Sequence, residues 1–69
     1  MNEWISVRES LPRESEAVLI YSSKFGTMKR IYTSYKGEER WWSDEYWSTT
    51  KQLEITHWMP LPQPPLDNN

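Results

Sequence analysis

The absence of cysteine most constrains what this 69-residue chain can fold into. A domain of this size buries only about 60% of the surface its unfolded chain exposes, and small domains commonly add disulfides or a thiolate-bound metal to compensate. Neither is available here, so the core has to come from large side chains or from a partner. Five Trp, four Tyr and one Phe fit the first route, because each buried aromatic removes roughly 150–250 Å² from water. Apolar residues still make up only 36%, which keeps self-association open as the second route. A monomer or weak homodimer is expected.

Eight Lys and Arg against ten Asp and Glu give a net charge of −2. A balance this close to neutral makes a nucleic-acid partner unlikely, because such binders carry a basic patch or stripe. It also argues against a nucleic-acid mimic, which needs a dense acidic face. The N-terminal MNEWISVRES has no basic segment followed by an apolar one, and no apolar run approaches about 18 residues. With no cysteine, the reading is a soluble cytoplasmic protein without membrane contact.

The residue pattern predicts a mainly β fold in one domain spanning 1–69: a small antiparallel sheet of three to four strands. WISV (Trp4–Val7) is short, aromatic and β-branched, and the polar RESLPRESE after it reads as a turn, with one helical turn possible at Ser10–Glu14 around Pro12. AVLIY (Ala17–Tyr21) is a continuous apolar run, which predicts a central strand buried on both faces. SSKFGT then closes a hairpin through Gly26, and Met28–Tyr35 returns with alternating character. A second turn falls at Gly37, Leu53–Met59 forms a last strand, and Arg40–Ser43 is a further possible one. The alternative is an α+β fold with one short helix, in which Trp42 and Tyr46 share a helix face at i, i+4.

Four of the five prolines follow the only histidine, in THWMPLPQPP. Proline cannot donate a ladder hydrogen bond and favours extended geometry for itself and its predecessor. The strand should therefore stop at Met59 and continue over 60–69 as a stiff polyproline II tail. Packing of this tail on Trp4 and Trp58 is the simpler account of it; its P-x-x-P register, Pro62–Pro65, would otherwise serve as a ligand for aromatic grooves.

WISVRESLP at one end, AVLIY in the middle and THWMPLPQPP at the other resemble a small family of bacterial, phage and prophage proteins known only as a domain of unknown function, of the 551 type. The end motifs carry the resemblance, through Trp4, Pro12, His57, Trp58, Pro60 and Pro62; no matching motif lies between Lys36 and Gln52. It implies a setting in mobile elements of a bacterial host cell, with no activity, cofactor or catalytic residue attached.

No enzymatic chemistry is expected. A lone His57 cannot build a multi-histidine metal site, and no cysteine completes a mixed one. As a general base it would need an orienting carboxylate such as Asp44, Glu45 or Glu54, so the plainer role is structural. Asp44 and Glu45 read as solvated loop charges. Gly-x-Ser-x-Gly and phosphate-binding loops are absent. The stretch RWWSDEYW stands out, because Trp, Tyr and Arg are enriched at interface hot spots. Arg40, Trp41, Trp42, Asp44, Tyr46 and Trp47 are accordingly the candidate partner-binding residues, with core filling as the competing reading of the same rings. The expected function is that of a phage or prophage accessory protein that binds a host or phage protein, for instance to block a host defence or regulatory complex. The alternative is a small nucleic-acid or ligand-binding module that stacks bases or sugars on Trp42, Tyr46 and Trp47.

Overall fold

The computed structural model describes residues 3–62 of the chain. Within them six strands form one antiparallel sheet: β1 (Ile5–Ser6), β2 (Glu16–Ser22), β3 (Gly26–Tyr35), β4 (Glu38–Ser43), β5 (Tyr46–Thr49) and β6 (Ile55–Pro60). Their spatial order is β1-β6-β2-β3-β4-β5. A single-turn helix, α1 (Thr50–Leu53), links β5 to β6. The mainly β antiparallel fold is as expected, but the sheet has six strands rather than three to four, and the one short helix, which the α+β alternative alone foresaw, lies at Thr50–Leu53 and not across Trp42 and Tyr46, which are on β4 and β5. The stretch from Arg40 onward supplies the difference by forming a hairpin.

The turns show why. β2 and β3 are joined by Ser23–Phe25, and Gly26, at φ 85°, takes the left-handed backbone that starts β3. The buried Ser22 hydroxyl accepts from the N–H groups of Lys24 and Phe25 at 3.0 and 2.8 Å, which fixes that loop. β3 and β4 are joined by two residues, Lys36 and Gly37, both at positive φ (51° and 81°), as a tight right-twisted hairpin demands. β4 and β5 turn through Asp44 and Glu45, with Asp44 at φ 56° and no glycine present. Thr49 then caps α1: its hydroxyl accepts from Gln52 N–H while the Gln52 side chain accepts from Thr49 N–H, closing a capping box. Glu54 ends the turn in left-handed geometry at φ 51°.

Register and strand alternation assign each side chain to a face. Val18, Ile20, Tyr32, Trp41, Ile55 and Trp58 are the buried apolar residues, with Ile5, Val7, Met28 and Leu53 packed against them. The Tyr32 and Trp41 rings meet edge-on at 4.9 Å. The segment after β1 closes this side. Trp58 Nε1 donates to the Ser10 carbonyl (2.9 Å), Pro12 is buried, Ser15 N–H donates to the Tyr32 carbonyl (2.7 Å), and Glu14 accepts from the Ser34 hydroxyl (2.9 Å). At the other end α1 covers the core, where Trp41 Nε1 donates to Thr50 Oγ1 (2.8 Å) and Thr50 in turn donates to Glu39 (2.6 Å). Among the described residues no buried side-chain polar atom lacks a partner.

Two expectations need correction. β2 is central, between β6 and β3, yet among the described residues it is covered on one face only, and Tyr21 is 43% exposed on the other. The edges of the sheet are the two-residue β1 and the four-residue β5. The last strand runs through Pro60, which lies opposite Val18, rather than stopping at Met59. Most of the expected proline tail, residues 63–69, lies outside the described residues.

A candidate binding face on the open side of the sheet

Opposite the core, the same alternation lines up a second set of residues: Ala17, Ile31, Trp42 and Trp47 stand in register across four strands. Nothing among the described residues covers this row. Ile31 is 43% and Trp47 38% exposed, while Trp42 is half-buried. Trp42 is held in place by its indole N–H, which donates to Thr33 Oγ1 at 2.7 Å, and its ring lies 6.3 Å from that of Trp47.

Arg40, two residues before Trp42, lies on the same face. Its guanidinium stacks 4.1 Å from the Trp47 ring centre and 4.8 Å from that of Tyr35. Its Nε donates to Glu38 at 2.9 Å. Close approach to two rings suits a guanidinium, which is weakly hydrated and attracted to ring faces. Lys29 stands on this face as well.

The six candidate contact residues separate cleanly. Arg40, Trp42 and Trp47 come together on the open face. Trp41 is 1% exposed and belongs to the core, because adjacent strand residues point to opposite sides. Tyr46, 79% exposed, lies at the margin of the sheet, whereas Asp44, in the β4–β5 turn, shares a cleft with Lys29, Ile31 and Trp42. Ile31 and Tyr35 join the face and were not singled out from sequence; alternation within Met28–Tyr35 placed both on one side with Lys29 and Thr33, which was the available signal.

The end motifs meet as β1 pairs with β6, with Ile5 opposite Trp58 and Ser6 opposite His57. Trp58 is in the core, and Trp4, one residue from Ile5, is on the other face, edge-on to Tyr21 at 6.2 Å. The two tryptophans therefore do not form one platform. His57 Nδ1 is 2.8 Å from Thr56 Oγ1. Among the described residues no group of three potential metal ligands occurs, and no helix is long and apolar enough to cross a membrane.

Fold and face define a small antiparallel β protein with one closed and one open side. By sequence the chain belongs to the family described as "Protein of unknown function (DUF551)", whose model matches residues 3–66. It is 38% identical over 64 residues to the "Uncharacterized 7.8 kDa protein in ral-gp17 intergenic region" of Salmonella phage P22, covering 91% of this chain and 96% of that protein. The phage association implied by the end motifs thus has direct support. No solved structure matches the chain.

Proposed function

We propose that the protein is a phage or prophage accessory protein that works by binding another protein through the open face around Ile31, Arg40, Trp42 and Trp47. The observation that carries this reading is the Ile31–Trp42–Trp47 row. Large apolar side chains stand in register on a sheet face that no other part of the described chain covers. Contiguous exposed apolar surface marks interaction sites in soluble proteins, and Arg and Trp, here within 4.1 Å of one another, are enriched among interface anchors. Inhibition of a host defence or regulatory complex in the bacterial cytoplasm is one role such a binder would fill.

A second reading has its own support. Tyr35, Arg40 and Trp47 form a stacked aromatic-cation cluster on a sheet surface, and base stacking on such rings is worth about 1–3 kcal/mol per base. A net charge of −2 gives little attraction for a phosphate backbone, so the protein partner is favoured.

Capture with the tagged chain from a bacterial lysate, with and without nuclease, separates the two. The interaction reading expects a stoichiometric protein that survives nuclease and is lost with Trp47→Ala. Recovery of nucleic acid alone would overturn it.

A further inference from the structure

β5 is an edge of the sheet, hydrogen-bonded to β4 alone. In an antiparallel pair, opposed residues alternate between exchanging both ladder bonds and exchanging none. Thr49, opposite Arg40, is of the second kind: its N–H goes to Gln52 Oε1 at 2.9 Å. Trp47, two residues earlier on the same strand, has the same outward setting. These are the positions at which a further strand would add. Apart from its shortness, β5 has none of the usual obstacles to such addition, since Tyr46–Thr49 contains no Pro, Lys or Gly and its register is unbroken.

Elsewhere at the margins of the sheet, outward strand groups are met locally. The Ser6 carbonyl of β1 accepts from the N–H groups of Glu9 and Ser10 at 2.9 and 3.3 Å. Ser34 lies beyond Tyr32, where the pairing of β3 with β2 ends, and its N–H donates to the Glu14 carboxylate at 3.0 Å. The Gln52 side chain does for β5 what Glu14 does for β3. Its contact is one half of the α1 capping box; the other half, from Gln52 N–H to Thr49 Oγ1 at 3.1 Å, serves the helix alone. Only the Gln52 oxygen sits on the outward donor of the strand.

We propose that the Gln52 side chain keeps the β5 edge closed to a second copy of this chain, by holding the Thr49 N–H that antiparallel addition of β5 to β5 would use. In a twofold pairing centred on Trp47, the N–H of Thr49 faces the Glu45 carbonyl of the second copy. Symmetry repeats that contact, so removal of the Gln52 oxygen frees the same donor twice. The opposite edge, β1, is two residues long with its outward carbonyl taken, so β5 meets β5. This inference concerns the edge and is independent of the open face.

The test is sedimentation of the full chain across a wide concentration range, with amide exchange followed on the same samples. Gln52→Ala opens the edge, Thr49→Ala breaks the hydroxyl half of the capping box and leaves the edge closed, and Gln52→Glu keeps an acceptor in place. Gln52→Ala should associate at concentrations roughly 5- to 100-fold below those of the native chain, the equivalent of two neutral hydrogen bonds. Exchange at the Trp47 and Thr49 amides should slow as it does so, while Thr49→Ala and Gln52→Glu behave as the native chain. Three results would overturn the proposal: native behaviour of Gln52→Ala, equal association of Thr49→Ala, which would trace the effect to the helix, or association without slower exchange at Trp47 and Thr49.

Discussion

Trp41 and Trp42 are neighbours in the chain and stand on opposite sides of the sheet. Trp41 is 1% exposed with its indole N–H on Thr50, whereas Trp42 is half-buried on the open face with its N–H on Thr33. One pleat thus assigns one ring to stability and leaves the other for contact. Trp41→Ala should destabilise by about 3–5 kcal/mol, which is most of the stability a domain this small possesses. Trp42→Ala should cost less than half as much. Urea denaturation of the two variants checks this; equal losses would mean that the open face is packed in solution.

Trp58 joins the two end motifs through its place opposite Ile5 and its bond to the Ser10 carbonyl. Trp58→Phe keeps an aromatic ring but removes that bond and shrinks a buried side chain. A loss of about 1–3 kcal/mol is expected. An unchanged thermal midpoint would show that the segment closing the core does not depend on this contact.

Lys36 holds a left-handed backbone at φ 51° in the two-residue β3–β4 turn, before Gly37. Side chains pay roughly 1–2 kcal/mol for that region, and Asn tolerates it best after Gly. Lys36→Asn creates the Asn-Gly pair preferred in such hairpins. A gain of about 0.5–1 kcal/mol is expected by chemical denaturation, after the loss of the Lys36 contact with the Tyr35 ring. Destabilisation would contradict the turn geometry.

Burial raises the pKa of the Tyr32 phenol above its usual value of about 10, with Glu39 and Glu14 adding to the effect and a hydrogen bond with Ser34 opposing it. The folded state thus holds the proton more tightly than the unfolded chain. Its contribution is fully present below about pH 10 and is lost as pH rises through the raised folded value. Alkaline unfolding followed by circular dichroism should be steeper in the native chain than in Tyr32→Phe. Identical alkaline limbs would refute the linkage.

The parts of the fold legible in the sequence were those with local chemistry strong enough to stand alone. The Ala17–Tyr21 run and the alternation of Met28–Tyr35, separated by Gly26, announce the central hairpin, and the structure extends each strand by one or two residues. β5 carries no local signal, because the Asp44–Glu45 turn contains neither Gly nor Pro and Asp44 reaches positive φ without either. α1 carries one, the capping-box spacing of Thr49 and Gln52. The early start assigned to the last strand has the same origin: Leu53 belongs to α1, and only the left-handed Glu54 lets Ile55 begin β6. Of the candidate site, the separation of Trp41 from Trp42 followed from alternation alone. The stacking of Arg40 on Tyr35 and Trp47 did not, since it joins three strands whose pairing depends on the unrecognised turn.

Among the described residues one side of the sheet is closed over the core and the other is open. Solvent access to the five indole N–H groups, measured by resonance broadening with a soluble paramagnetic agent, tests this most directly. Trp4 and Trp47 should broaden strongly, Trp42 partially, and Trp41 and Trp58 least, independently of protein concentration. Protection of Trp42 and Trp47 equal to that of Trp41 would contradict it, because the face proposed for the partner would already be covered.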